Sequence, residues 1–238
     1  MYVKYMSPKT LFVCGFCSLG FDTYSNMDYL KNTDYFYYDN CEAVEDIEER
    51  LLEYYVGGKY THLIGHSMGC FFISRMLAKL KADQLPVKTI LMNPFIENSI
   101  ASAIFGLVPH PLSSLFKIPK WVGEYPNGLT FKYQSIWSVP EWQLNNFQQI
   151  NYCSNNFDMC EYIETYKTVG NVVIIYGTCD TAVAPLSLRT QSLLKTVTKF
   201  IPIYAKHEPF NDDMSVQTNL KNIFLGELPD TLISRKYI

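Results

Sequence analysis

Ser67 is the residue with the clearest chemical potential, because it is the centre of the pentapeptide GHSMG at residues 65–69. An apolar run at Leu63 and Ile64 precedes this G-x-S-x-G motif, and helix-forming residues follow it. A strand-turn-helix connection this sharp requires small flanking residues and holds the serine hydroxyl clear of the backbone. The unpaired amides at the start of the helix favour developing negative charge. The pattern predicts a nucleophilic serine, and the alternative is an ordinary glycine-flanked loop serine.

A serine hydroxyl is a poor nucleophile at neutral pH and needs a general base within reach. The chain has four histidines. His62 lies within the strand before the motif, and His66 is the variable position of the motif, so neither is expected to face Ser67. His110 lies between two prolines, where a surface position is the simpler interpretation. His207 remains, directly after the last apolar strand, and is the predicted base.

Strands and helices alternate along the chain in a way that would position these residues. Apolar runs predict strands at 10–16, 35–38, 87–92, 171–177 and 199–204, and one around Leu63 and Ile64 directly before the G-x-S-x-G motif. Helical spacing predicts helices at 26–31, 41–55, 185–194 and 212–225, and one directly after Ser67. Gly57-Gly58 is expected to stop the helix at 41–55, and Gly226 the helix at 212–225. The alternation predicts an α/β fold with right-handed crossovers. Its mostly parallel sheet has about six strands and helices on both faces.

One long segment, residues 94–170, interrupts this alternation and has no buried-strand signal. An interruption of this length inside one domain is usually a functional insertion. The three tryptophans, Trp121, Trp137 and Trp142, all lie in it. These aromatic residues form either a small core of the insertion itself or the lining of an apolar acyl or aromatic pocket. We expect residues 1–238 to form a single domain that contains this insertion.

The sequence resembles the α/β-hydrolase family, in which the nucleophile, the acid and the histidine follow one another along the chain. The resemblance extends from Thr10 to Leu225 and implies that residues 94–170 are a cap over the active site. The stretch HEPF at 207–210 is similar to the family's histidine motif, and GTCD at 177–180 resembles its G-x-x-D. Asp180 is therefore expected to orient His207. A simple turn-forming role is the alternative for Asp180, and Glu97 is the second candidate for the acid.

The resemblance also implies an oxyanion hole of two backbone amides. The Met68 N–H, first in the helix after the serine, is one expected donor. The other comes from the loop after the first strand, where the family usually has a His-Gly pair. Here the loop reads Cys14-Gly15-Phe16, and we expect the Phe16 N–H to be the second donor. The sequence leaves open which interactions brace this loop without the histidine.

Composition sets limits on partners and location. The chain has 238 residues, a formal net charge of -3 and seven cysteines. This charge argues against nucleic acid as a partner. No signal core or run of ~20 apolar residues is present, which predicts a cytoplasmic protein without a transmembrane segment. Cys14 and Cys17 form a C-x-x-C pair, but a thiol redox site or zinc site lacks its usual context here, so no metal or cofactor is expected.

The resemblance implies a serine hydrolase that cleaves an apolar carboxylic ester through an acyl-enzyme intermediate. A carboxylesterase or a monoacylglycerol-lipase-like enzyme is the first hypothesis, because the insertion is aromatic and weakly charged. An acyl thioesterase is the alternative, since the same site cleaves thioesters. A non-catalytic ligand-binding protein on the same fold is an alternative of another class. The oligomeric state is not predicted.

Overall fold

The computed structural model describes residues 9–16, 18, 20–38, 42–96, 107, 117–119, 144–146, 148–180, 182–183 and 186–228. The strands are β1 (Thr10–Val13), β2 (Thr33–Phe36), β3 (His62–His66), β4 (Lys88–Met92), β5 (Lys117–Pro119), β6 (Leu144–Asn146), β7 (Val172–Gly177) and β8 (Lys199–Ile203). The α-helices are α1 (Val44–Gly58), α2 (Met68–Lys79), α3 (Gln148–Asn155), α4 (Met159–Val169), α5 (Leu188–Val197) and α6 (Met214–Glu227). Short 3₁₀ segments lie at Gly20–Met27, Ala82–Gln84 and Pro209–Asn211.

Six of these strands form one parallel sheet in the order β2-β1-β3-β4-β7-β8. All residues of β1 and β7 are buried, as expected of parallel strands that are covered on both faces. The strands at the two edges, β2 and β8, are partly exposed. The predicted α/β fold with a parallel sheet of about six strands is confirmed.

The alternating side chains of the sheet supply two separate cores. Leu11 and Val13 face a core that includes buried residues of α1, α2 and α4. Phe12 faces the opposite core, which includes Leu220 and Phe224 of α6. Helices therefore cover both faces of the sheet, as predicted.

Several element boundaries differ from the sequence-based expectation. Strand β1 ends at Val13 rather than at Phe16, so residues 14–16 form a loop. No helix occupies residues 26–31; a 3₁₀ segment at Gly20–Met27 takes its place. This segment is kinked at Tyr24, and Tyr24 and Met27 are both fully buried. Helix α1 begins at Val44 and continues through Gly57-Gly58, which were predicted to stop it.

The later helices also begin and end beyond their predicted positions. Helix α5 begins at Leu188, because the Ser187 side chain accepts a hydrogen bond from the Thr190 amide and caps the helix. Helix α6 begins after Asp213, whose side chain caps two amides, and it continues through Gly226 to Glu227. The packing of an apolar helix face outweighs the ~1 kcal/mol that an internal glycine costs.

The segment predicted as a cap contains the antiparallel strand pair β5–β6 and helices α3 and α4. Helix α4 packs against α2, and the hydroxyls of Tyr166 and Ser74 lie 2.7 Å apart in a buried hydrogen bond. Trp121, Trp137 and Trp142 lie outside the described residues, as do Glu97, His110 and Cys17. The extent of the cap and the role of its tryptophans stay predictions. None of the helices in the described ranges has the length and apolarity to cross a lipid bilayer.

Candidate active site

Ser67 lies between the end of β3 and the start of α2 in a strained backbone conformation. Its φ of 53° and ψ of -123° are unfavourable for a residue with a Cβ atom. Three backbone hydrogen bonds hold it there. The Ser67 amide donates to the Met92 carbonyl at 3.0 Å, and the Ser67 carbonyl accepts from Cys70 at 3.0 Å and Phe95 at 3.2 Å. Its side chain does not cap α2, so the helix itself does not engage the hydroxyl.

The two glycines of the motif are required by close packing. A Cβ atom on Gly69 would overlap the carbonyl oxygens of Val13 and Cys14, the latter 2.5 Å away. A Cβ atom on Gly65 would lie 2.8 Å from the side chain of Ile73. Helix α2 can therefore cross close to β1 and β3 only because both positions lack a side chain.

Asp180 and His207 form a hydrogen-bonded pair. The loop after β7 supplies Asp180 and the loop after β8 supplies His207, and the distance from Asp180 Oδ2 to His207 Nδ1 is 2.7 Å. Asp180 Oδ1 accepts from the amides of Ala182 at 2.8 Å and Val183 at 3.2 Å. The Asp180 side chain is 1% exposed and the His207 side chain 15%. With Nδ1 bound to the carboxylate, the His207 Nε2 atom is left for chemistry.

His66, the residue before Ser67, lies next to this pair. The His66 and His207 rings have centroids 4.9 Å apart. The described contacts include no hydrogen bond between the Ser67 hydroxyl and His207. Such bonds are often long in a free enzyme and shorten when the substrate binds. Nucleophile, base and acid candidates all follow the carboxyl ends of parallel strands.

The loop after β1 lies against the serine, as the oxyanion-hole prediction requires. A Cβ atom on Gly15 would lie 3.1 Å from the Ser67 Cβ atom. Within the described part of the chain, the amides of Phe16 and Met68 donate no hydrogen bond.

Strand order reverses between β1 and β3, because β2 lies on one side of β1 and β3 on the other. In parallel sheets ligands bind beyond the carboxyl ends of the strands at such a reversal.

Residues 18–214 match the sequence profile of the Alpha/beta hydrolase family. The chain belongs to this family. No curated protein matches the sequence.

Solved structures of other proteins have the fold of this alpha/beta hydrolase at low sequence identity. The monoacylglycerol lipase of Paleococcus ferrophilus is 15% identical, with a TM-score of 0.65 over 94% of this chain and 96% of the lipase. A soluble variant of the Saccharomyces cerevisiae monoglyceride lipase, in complex with a substrate analog, is 16% identical, with a TM-score of 0.61 over 98% and 89% of the two chains. The thioesterase domain from the curacin biosynthetic pathway is 15% identical, with a TM-score of 0.55 over 92% and 91%.

Asn93 is a residue of the candidate site of this alpha/beta hydrolase that the sequence analysis missed. It follows β4, is fully buried and has a φ of 43°. Its Nδ2 atom donates to the carbonyls of His207 at 2.7 Å and Lys206 at 3.0 Å, and its Oδ1 accepts from the Gly177 amide at 2.6 Å. Asn93 therefore joins the histidine loop to the strand that precedes the acid. A polar residue directly after a buried strand, followed by proline, is the signal that could have identified it.

The Cys14 thiol lies inside the protein and has little thiolate character. It is fully buried, and burial raises its pKa far above the usual value despite a hydrogen bond with Ser18 that lowers it. A nucleophilic or redox-active cysteine needs a lowered pKa and access to solvent. Among the described residues, no group of three or more His, Cys, Asp or Glu side chains could hold a metal ion.

Proposed function

We propose that this alpha/beta hydrolase is a serine hydrolase in which Ser67 is the nucleophile, His207 the general base and Asp180 the residue that orients His207. The 2.7 Å contact between Asp180 and His207, beside a strained serine turn, is the observation that supports this most directly. Because Nδ1 of His207 donates to the carboxylate, its Nε2 can accept the serine proton. The amides of Phe16 and Met68 are the proposed oxyanion donors.

The proposed reaction has two halves. In the first, Ser67 Oγ bonds to the substrate carbonyl carbon while its proton passes to His207 Nε2. The tetrahedral oxyanion is stabilised by the two amides, and its collapse breaks the bond to the leaving alcohol, which takes the proton from His207. In the second half, water loses a proton to His207 and attacks the acyl-enzyme. Collapse of this second intermediate releases the acid and returns the proton to Ser67.

The proposed substrate is an apolar carboxylic ester, as in a carboxylesterase or a monoacylglycerol lipase. Two of the similar structures are monoacylglycerol or monoglyceride lipases, and the predicted cap is rich in aromatic residues. An acyl thioesterase is the second candidate, favoured by the similar curacin thioesterase domain. Parallel assays of p-nitrophenyl esters and acyl thioesters with matched acyl chains separate the two. Equal turnover of short and long acyl chains would contradict an apolar acyl pocket.

The experiment that tests the serine hydrolase is labelling with a fluorophosphonate probe. We expect the wild type and Ser215→Ala to take up the label, because Ser215 is an exposed serine of α6 outside the G-x-S-x-G motif. Ser67→Ala should take up none, and its turnover of a p-nitrophenyl ester should fall by several orders of magnitude. A folded wild type that takes no label would show that Ser67 is not activated and would favour the ligand-binding alternative.

A further inference from the structure

A continuous chain of hydrogen bonds runs behind the candidate nucleophile. The Gly15 amide donates to the Tyr24 hydroxyl at 2.7 Å, and this hydroxyl lies 3.1 Å from His66 Nδ1. On the other side of the ring, His66 Nε2 lies 2.9 Å from the His207 carbonyl oxygen. The chain therefore links the loop after β1 to the backbone of the candidate general base.

The donors and acceptors of this chain are fixed by chemistry. A carbonyl oxygen can only accept, so the bond to His207 places a proton on His66 Nε2. A neutral imidazole then has its lone pair on Nδ1, which accepts from the Tyr24 hydroxyl. That hydroxyl in turn accepts from the Gly15 amide through its oxygen. Each group satisfies its neighbour, as buried polar groups must.

The surroundings keep His66 neutral. His66 is 3% exposed, and burial together with the neighbouring His207 lowers its pKa to about 3, against smaller opposing effects of the His207 carbonyl and Asp180. Tyr24 is fully buried, and burial raises its pKa well above the usual value. Both side chains therefore hold the protonation states that the chain of hydrogen bonds requires throughout the neutral pH range.

Aromatic packing leaves these side chains little freedom. The Tyr24 ring centroid lies 4.5 Å from that of Phe12 and 4.9 Å from that of Phe210. His66 packs edge-on against Phe210 at 5.0 Å. A Cβ atom on Gly15 would lie 2.9 Å from His66 Nδ1. The loop after β1 is thus seated directly on the imidazole.

We propose that Tyr24 and His66 are positioning residues, which hold the Gly15-Phe16 loop and the His207 backbone in register around Ser67. This inference rests on the proposed serine hydrolase. In the loop, Cys14 stands in place of the expected histidine. Tyr24 of the 3₁₀ segment and His66 of the nucleophile motif brace the loop instead. Asn93 holds the same His207 carbonyl independently. Loss of Tyr24 or His66 should therefore displace the oxyanion loop more than it displaces His207.

Removal of the Tyr24 hydroxyl tests the proposal with little change of shape. In Tyr24→Phe we expect kcat for a p-nitrophenyl ester to fall roughly 10- to 100-fold with KM within about twofold, because the oxyanion donor is engaged fully only in the transition state. The matched control is Tyr162→Phe. Tyr162 is also fully buried, but its hydroxyl has no hydrogen-bond partner among the described residues. The kcat of Tyr162→Phe should therefore not change. Turnover of Tyr24→Phe equal to that of the wild type would overturn the proposal.

A pair of His66 variants serves if Tyr24→Phe does not fold. The amide of His66→Gln can still donate to the His207 carbonyl, whereas His66→Leu cannot. We expect His66→Gln to retain at least about tenfold more activity than His66→Leu in folded protein. Equal activity of the two variants would contradict a positioning role.

Amide hydrogen exchange at Gly15 separates this inference from the proposed function. Exchange should be slow in the wild type and at least about tenfold faster in Tyr24→Phe, since the amide loses its acceptor. If the wild type takes no fluorophosphonate, the proposed function fails. The exchange difference would then still support Tyr24 as the brace of the loop, and equal exchange rates would overturn that role as well.

Discussion

Asp180 uses its two carboxylate oxygens for different purposes. Oδ1 caps the turn at Ala182 and Val183, and Oδ2 binds His207. In Asp180→Asn the turn can persist, but the amide can donate to His207 Nδ1 and so stabilise the wrong tautomer. We expect kcat for an ester to fall about 10³- to 10⁴-fold, with Asp83→Asn, an exposed acid in the 82–84 segment, as the unchanged control. A loss of less than tenfold would point to Glu97 as the acid.

The burial of His66 predicts a contribution to the pH dependence of stability. Folded His66 has a pKa of about 3, below its ordinary value of 6.5. Between these two pKa values the unfolded chain binds a proton at His66 that the folded chain does not bind. The free energy of unfolding therefore falls as the pH is lowered from 6.5. Between pH 6.5 and 4.5, urea unfolding should show the wild type losing roughly 2 kcal/mol more than His66→Gln. Parallel losses in the two proteins would mean that His66 is accessible to protons.

The sequence indicates some site residues better than others for a physical reason. Ser67 lies in a local motif, and Asp180 and His207 each follow a recognisable apolar strand. The structure brings Asp180 and His207 into contact. Tyr24 carries no local signal of a role, and the signal of Asn93 is only its place between a buried strand and a proline. Their contacts span long stretches of chain, to His66 and to the His207 carbonyl, and only the folded topology shows them.

At the scale of elements, the crossing of α2 over β1 depends on one missing side chain. Gly69→Ala would press a methyl group against the carbonyls of Val13 and Cys14, so we expect the free energy of unfolding to fall by about 3 kcal/mol or more. Gly57→Ala is the matched control, because a Cβ atom there meets nothing within 4 Å in helix α1. It should raise the free energy of unfolding by about 0.5–1 kcal/mol. Equal denaturation midpoints for the two variants would contradict this account of the crossing.

Element types could be predicted from the sequence, but several boundaries could not. The inner strands of the central sheet, β1, β3, β4 and β7, are almost entirely buried apolar runs, so periodicity and length identify them. Helix α1 passes through Gly57-Gly58, beyond its last buried residue Tyr55, and is capped by Lys59, which adopts the left-handed conformation that glycine usually supplies. The 3₁₀ segment at Gly20–Met27 is held by Tyr24 and Met27 in the core. Tertiary packing therefore fixes the 3₁₀ segment, and local sequence patterns do not reveal that packing.

At the scale of the whole molecule, the candidate site residues and a cluster of ion pairs lie at opposite ends of the parallel sheet. The candidate site residues lie beyond the carboxyl ends of the strands, around the reversal of strand order between β1 and β3. At the amino ends, Glu227 of α6 pairs with Lys88 of β4 at 2.7 Å and with Lys199 of β8. The side chains of Glu227 and Lys88 are 8% and 14% exposed. This ion-pair cluster links α6 to β4 and β8, about 15 Å from the candidate site.

Glu227→Gln should therefore reduce stability and leave catalysis unchanged. Burial raises the pKa of the Glu227 carboxyl, but hydrogen bonds from Lys199 and Lys88 outweigh it and hold the pKa below its usual 4.5. The stabilisation is present above pH 4.5 and lost as the pH falls through the lower folded-state pKa. At pH 7 we expect unfolding to cost roughly 1–3 kcal/mol less in Glu227→Gln, and the difference should close in acid. Glu164→Gln, which breaks an exposed pair with Lys167, should change it by less than about 0.5 kcal/mol. A fall of kcat for an ester in proportion to stability in Glu227→Gln would show that the two ends of the sheet are coupled. The separation of stabilising residues from catalytic residues that this fold suggests would then be wrong.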